Sequence, residues 1–418
     1  MRSAGPARLA YLVSQYPAVR HTFILREALE LRRIGLPLHT ASVKPPQQSE
    51  DGATETETRE AGRTFYVKRR GLLNVLGDHA GCLLRRPGRY LAGLFCALQL
   101  GGADLKAAVF HLFYFAEAVV LGQWLRRNAV QHVHVHFANS AATAALLVRK
   151  IYGIPYSITV HGSDEFYDVR FYRLREKIER ASFICCVSSF TRSQVMKETA
   201  PEDWAKLEVC PLGVDPQVFT PRVGEPAVFT VACTGGLVFG KGQMTLMAAI
   251  AKLRSRGRRA RLDLVGDGPA RRAMEQEAGR LNIAADVTFH GSINQDRVRE
   301  ILLSASVFVL PSFAEGVPVS LMEAMAMEIP CIGTYAGGIP ELIRSGEDGI
   351  LVSPSDPDAL AAAIEELMDN PELRLRLGKA GRRRVAGEYN LTTNVERLAS
   401  IFERRLQLEP RAAAARAL

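Results

Sequence analysis

Val307-Phe-Val-Leu-Pro-Ser-Phe-Ala-Glu315-Gly-Val-Pro-Val-Ser-Leu-Met-Glu323 joins a short apolar run to a helical pattern that continues through Met327. Val307 to Ser312 reads as a buried strand and Ser320 to Met327 as a helix. Glu315 then falls on the connecting loop and Glu323 about one turn into the helix. A helix start presents unpaired N–H groups and the positive end of its dipole to an anion. Carboxylates on either side of it can accept hydrogen bonds from vicinal hydroxyls. The pattern therefore describes a phosphate flanked by two polyols, which is the make-up of a sugar nucleotide. Capping or solvated charge is the plainer explanation of paired acids at a helix start. Downstream, Tyr335-Ala-Gly-Gly-Ile-Pro-Glu341 sets Gly337 and Gly338 before another helix, a second place where backbone can approach phosphate.

Working outward, Val228 to Thr234, Ala260 to Val265, Val287 to His290, Pro330 to Thr334 and Gly349 to Val352 read as further strands with helices between. In the first half, Arg8 to Ser14, Pro37 to Val43, His132 to Phe137, Tyr156 to Val160 and Phe183 to Val187 read as strands. Helices are expected at Thr22 to Ile34, within Asp104 to Arg127 and at Ser140 to Tyr152, and Gln47 to Glu60 reads as an acidic surface loop. The fold class is α/β: two doubly wound Rossmann-like domains facing a central cleft. The Pro- and Gly-rich stretch from Pro211 to Pro226 reads as the linker. The expected division is 1–215, 216–390, and a C-terminal helix over 391–418 that packs back toward the first domain and ends in a frayed tail. In open parallel sheets ligands sit beyond the carboxyl ends of the strands. Gly235 and Gly236 after Thr234, the Glu315 loop, Gly337 and Gly338, and His161-Gly-Ser-Asp164 all follow strands in this way.

A chain of 418 residues, 47% hydrophobic, is too long for one core. No run reads as the roughly twenty apolar residues that span a bilayer, and Leu9 to Val13 is too short for the core of a signal peptide. The expectation is a cytoplasmic protein. The seven cysteines form no C-x-x-C pair and read as buried free thiols. The net charge of +9 favours a phosphate-bearing partner. Between Arg63 and Phe95 seven basic residues face one acid, Asp78, and alternate with leucines. That segment reads either as a basic amphipathic helix on an anionic membrane or as a solvated helix packed by its apolar stripe.

Taken together, Ser14 to Ile24, the His161 segment, Pro211 to Phe219, the Glu315 and Glu323 pair with Glu-Ala-Met-Ala, and Gly-Gly-Ile-Pro-Glu resemble glycosyltransferase family four. The resemblance is to its exopolysaccharide-building members and covers nearly the whole chain. It implies a GT-B fold and retaining transfer from a UDP- or GDP-sugar to a glycan or lipid-linked acceptor. It also implies that no metal or cofactor is required; the basic segment adds the expectation of peripheral contact with the anionic inner face of the cytoplasmic membrane, and no nucleic-acid partner is expected. Under it Glu323 binds the ribose hydroxyls and Glu315 the transferred sugar. The backbone of Gly316, Val317, Pro318, Val319, Ser320 and Leu321 would surround the diphosphate. Lys241 adds positive charge, His161 reaches the sugar from the opposite domain, and Arg20, His21, Thr22 and Asp164 line the acceptor side. Three positions depart from the family pattern. Gly236 stands where an arginine is usual, Glu328 stands where a glycine commonly ends the helix, and Gln15 to His21 replaces a glycine-rich loop. The alternatives are a non-catalytic sugar-nucleotide-binding subunit and a nucleotide-sugar epimerase.

Three other patterns have structural explanations. Gly235, Gly240 and Lys241 have P-loop spacing, but Gly242 stands where Ser or Thr must hold magnesium. His132, His134 and His136 share one strand face, where side chains point in parallel and seldom converge on one ion. Asp356-Pro-Asp358 reads as a helix cap.

Overall fold

The computed structural model describes residues 9–47, 51–162, 165–169, 171–222 and 224–408. Asp164 and the tail expected to fray lie outside them. The first sheet holds β1 (Leu9–Gln15), β2 (Leu38–Lys44), β3 (Phe65–Tyr66), β4 (His132–His136), β5 (Tyr156–Val160), β6 (Ile184–Cys186) and β7 (Leu207–Val209). Its order is β3-β2-β1-β4-β5-β6-β7, and every pairing is parallel. The second holds β8 (Thr230–Thr234), β9 (Arg261–Val265), β10 (Val287–Phe289), β11 (Val307–Val309), β12 (Cys331–Thr334) and β13 (Ile350–Val352). Its order is β10-β9-β8-β11-β12-β13, again all parallel.

Parallel strands covered on both faces read as continuous apolar runs. In β1 alternation assigns Ala10 and Leu12 to one core, and Leu9, Tyr11 and Val13 to another on the opposite face. The second core is closed by the helix Leu391–Leu406, which contributes Val395, Leu398, Ile401 and Phe402. The chain's last described helix thus lies on the first lobe. Val187, Leu212, Val214 and Phe219 share a core with Phe308 and Leu321, so apolar packing continues from one lobe into the other.

Two expectations are corrected. The segment read as an acidic loop contains the helix Glu55–Arg63, started by a capping box between Thr54 and Glu57. It buries Glu60, which accepts two hydrogen bonds from Arg32, at 2.6 and 3.0 Å. Its buried contact is an ion pair rather than an apolar stripe, which hid it from periodicity. The second correction concerns the helix Leu105–Arg127, which is long and apolar enough to cross a membrane by length and composition. Its later half, including Phe115, Val119 and Leu125, is buried in the first lobe's core. Leu105, Val109, Phe110 and Phe113 in its earlier half are exposed.

Candidate active site

The order of the second sheet reverses between β8 and β11, which brings the loops after these strands side by side at the carboxyl edge. Glu315, after β11, is buried and its Oε1 accepts a hydrogen bond from Lys241 Nζ at 2.6 Å. Lys241 comes from the turn Phe239–Lys241 after β8 and remains partly exposed. Pro318 precedes the helix Val319–Ala326, whose first turn is Val319, Ser320 and Leu321. Val317 and Leu321 point into the core, so their backbone rather than their side chains is what a ligand can meet.

Glu323, buried in the same helix, is held from two directions. Its Oε1 accepts from Arg26 Nη1 at 2.8 Å and from Gln295 Nε2 at 3.2 Å. Arg26 belongs to the first-lobe helix Thr22–Arg33 and also stacks over Phe219. Thr22 Oγ1 donates to Gln295 Oε1 at 3.2 Å, and Arg20 Nη2 to the Asp267 carbonyl at 2.8 Å. Arg20 and Thr22 therefore both touch the second lobe. His21 packs against the Phe137 ring, 4.7 Å between centroids.

The lobes also meet backbone to backbone. A Cβ at Gly316 would stand 1.8 Å from the His161 carbonyl oxygen, and one at Gly162, whose φ is +150°, 2.6 Å from the Gly316 nitrogen. Carbonyl oxygens of Glu315 and Gly316 occupy the space a side chain would take at Gly337 and Gly338. The Gly338 N–H donates to the Glu315 oxygen at 3.0 Å. Close loop packing thus accounts for these glycines without any phosphate contact. Gly235 and Gly236 stand differently, since a Cβ at either would meet no atom within 3.5 Å.

His161 follows β5. Its Nε2 lies 3.1 Å from His136 Nδ1, and Phe23 and Phe137 flank its ring at 5.1 and 4.4 Å. Burial, and then the neighbouring His136 and His21, hold its pKa well below the ordinary histidine value. It is neutral at pH 7 and can exchange hydrogen bonds without carrying charge. The Glu165 carboxylate fixes this loop by accepting the backbone N–H groups of Ala138, His161 and Gly162. Of the three strand histidines, His132 and His134 pair with hydroxyls on β5, while His136 pairs with His161. His132 Nε2 meets Ser157 Oγ at 2.8 Å, and the two nitrogens of His134 meet Ser157 and Thr159, each at 2.7 Å. Among the described residues no group of three or more His, Cys, Asp or Glu could hold a metal ion. Asp356 caps its helix through the N–H groups of Asp358 and Ala359.

Sequence reasoning passed over Arg26, Gln295, Phe137 and Glu165. Arg26 carried no distinguishing signal, since its helix also holds Glu27, Glu30, Arg32 and Arg33. The others touch the site only through tertiary contacts.

Residues 225–384 match the family described as Glycosyl transferases group 1, and residues 105–218 match Glycosyltransferase Family 4. The chain belongs to glycosyltransferase family four. Over 374 residues it is 29% identical to a GDP-mannose-dependent alpha-(1-6)-phosphatidylinositol monomannoside mannosyltransferase of Mycobacterium tuberculosis, covering 81% of this chain and 96% of that one. The Escherichia coli glycosyltransferase WcaL, named for colanic acid biosynthesis, is 26% identical over 415 residues, 95% of this chain and 99% of that protein. Sucrose-phosphate synthase from Thermosynechococcus elongatus superposes with a TM-score of 0.73 at 18% identity, over 96% of this chain and 99% of that one. Anabaena HepE in complex with UDP-glucose gives 0.70 at 15% identity, over 95% and 99%. At these identities the structural likeness is one of fold, the two facing Rossmann-like lobes of GT-B. The relatives are named as transferases, so the alternatives of a non-catalytic subunit and an epimerase are not favoured.

Proposed function

We propose that the cleft of this family-four transferase moves a sugar, with retention of anomeric configuration and without a metal, from a UDP- or GDP-sugar to a glycan or lipid-linked acceptor in surface polysaccharide synthesis. The observation that carries this reading is the arrangement of Glu315 and Glu323 about the start of Val319–Ala326. Lys241 lies on the first carboxylate, and the His161 loop of the opposite lobe packs against Gly316. Glu323 would take ribose hydroxyls and Glu315 a sugar hydroxyl. Lys241 and the first-turn N–H groups would meet the diphosphate, stabilising the charge that grows on it as the bond breaks.

In the front-face reaction the bond from the anomeric carbon to the phosphate oxygen breaks, and the bond to the acceptor oxygen forms on the same face. The acceptor proton passes to the departing phosphate oxygen. His161, whose pKa burial holds low, is a weak base and suits hydrogen bonding to the sugar better than proton removal. The mannosyltransferase relative is named for GDP-mannose and the HepE structure holds UDP-glucose, so both bases remain in the proposal. The acceptor's site at the inner membrane face is supported by exposed Leu73, Leu84, Leu91, Phe95, Leu105 and Phe113 beside Arg85 and Arg89.

Purified protein, metal-free and in chelator, is incubated with UDP- or GDP-sugars and a lipid-extract acceptor. The expected result is acceptor-dependent release of nucleoside diphosphate and an axial or equatorial product linkage that matches the donor. An inverted linkage, or release only when a divalent cation is supplied, would count against the proposal.

A further inference from the structure

We propose that Arg20, from the first lobe, supplies the guanidinium that clamps the donor diphosphate over Gly236. The inference rests on the reading of the cleft as a sugar-nucleotide site. Two of the chain's departures from the family pattern, Gly236 and the Gln15-to-His21 segment, are far apart in sequence and adjacent in the fold. A Cβ at Gly236 would stand 3.9 Å from Arg20 Nη1 and 4.0 Å from its Cζ. The space beside the missing side chain is thus occupied by a guanidinium that arrives from across the cleft.

Its placement is held from both ends. Arg20 lies in the turn Val19–His21, which leads straight into Thr22–Arg33. That helix is tied to the second lobe through Thr22 and Arg26. At its tip, Arg20 Nη2 donates to the carbonyl of Asp267, two residues beyond the end of β9. The Asp267 carboxylate is turned elsewhere, accepting the Gly268 N–H at 2.7 Å and lying 4.0 Å from Arg271. A guanidinium carries five donors in a planar fork, so anchoring one edge on a carbonyl leaves the other edge for an anion. Arg20 is exposed, and Gly236 shares the loop after β8 with Lys241. The fork and the ammonium therefore border the same loop from opposite lobes. A diphosphate held between them would tie the lobes together, which an arginine at position 236 could not do.

The test is calorimetry with UDP and GDP, and with uridine and guanosine, on five proteins: wild type, Arg20→Ala, Arg20→Lys, Gly236→Arg and the double variant. Arg20→Ala should weaken the diphosphate roughly tenfold or more and leave the nucleoside unchanged, as loss of a hydrogen bond to a charged group implies. Adding Gly236→Arg to Arg20→Ala should restore much of the loss, because the replacement fork enters the same space. Arg20→Lys, which keeps charge without the fork, should fall between. Unchanged diphosphate affinity in Arg20→Ala, an equal fall for the nucleoside, or no recovery in the double variant would overturn the proposal. Wild-type protein that binds neither diphosphate would instead remove the sugar-nucleotide reading, a distinct result.

Discussion

Glu323 is a buried carboxylate that already accepts two hydrogen bonds, from Arg26 and Gln295, on one of its oxygens. Glu323→Ala should weaken nucleoside diphosphate binding, since a hydrogen bond to a charged group contributes about 1.5–3 kcal/mol. It would also strand Arg26, so the variant mixes lost ligand contact with an unpaired partner. Arg26→Ala separates the two: it removes the link between lobes and leaves the carboxylate available, so calorimetry should show affinity falling much less than for Glu323→Ala. Equal losses would mean that Glu323 acts through lobe closure and not on the nucleotide. Glu328 supplies a second residue-scale prediction. Its φ is +59°, a left-handed conformation that side chains resist. Glu328→Gly should raise stability to denaturant by about 1 kcal/mol. A lower midpoint would show that the Glu328 side chain more than offsets the strain. The two carboxylates were legible in sequence because a strand-to-helix turn fixes their spacing. Arg26 was not, because its partner lies 297 residues away.

The strand β4 sets the pH dependence. Burial pushes His132 and His136 down to about 3, and holds His134 and His161 well below the ordinary value. Each depressed histidine binds fewer protons folded than unfolded. Its stabilising contribution is complete above the unfolded value near 6.5 and is lost as pH falls toward the folded value. Glu27, pushed up to about 7 by burial, has the opposite sign, since its contribution declines as pH rises through the range from 4.5. Burial also lowers His39, His79 and His111 and raises Glu117 and Asp348, so seven histidines against three carboxylates predict that stability falls as pH drops below 6.5. His132→Gln should reduce that slope by up to about 1.4 kcal/mol per pH unit, read from denaturation midpoints between pH 4 and 6.5. An unaltered slope would mean that His132 is not held neutral by the fold. Legibility at this scale followed length and packing. The helix Ser140–Tyr152 and the strand Tyr156–Val160 match their expected bounds, the helix being delimited by an Asn139 cap and by Gly153 in the left-handed conformation. The strands β3 and β7 were missed: Phe65–Tyr66 is two residues long, and Leu207–Val209 has Glu208 at its centre and so forms no apolar run.

For the whole molecule, the helices Leu72–Arg85, Pro87–Gly101 and the first half of Leu105–Arg127 expose large apolar side chains that a solvated helical layer would cover. Leu73 and Leu84 are 85% and 82% exposed. Of the basic residues there, Arg70 is held by buried Asp78 and Lys68 by Glu117, while Arg85 and Arg89 face outward. The protein should co-sediment with vesicles containing anionic lipid more than with zwitterionic ones. Leu73→Glu with Phe113→Glu should reduce that binding without changing the circular dichroism spectrum. Equal sedimentation of wild type and variant would remove this surface from the membrane reading.

The sequence by itself determined two parallel sheets, most strand positions, and the loops that bear Glu315, Lys241, His161 and the glycines. Those features depend on periodicity and turn chemistry within a few residues of each other. Only the tertiary structure decided that Arg26 and Gln295 hold Glu323, that Gly316 needs its missing side chain for the His161 carbonyl, and that Arg20 stands beside Gly236. Gln295 reaches Glu323 from a different helix of the same lobe, and the other contacts join the two lobes across 155 residues or more, so no local pattern encodes them.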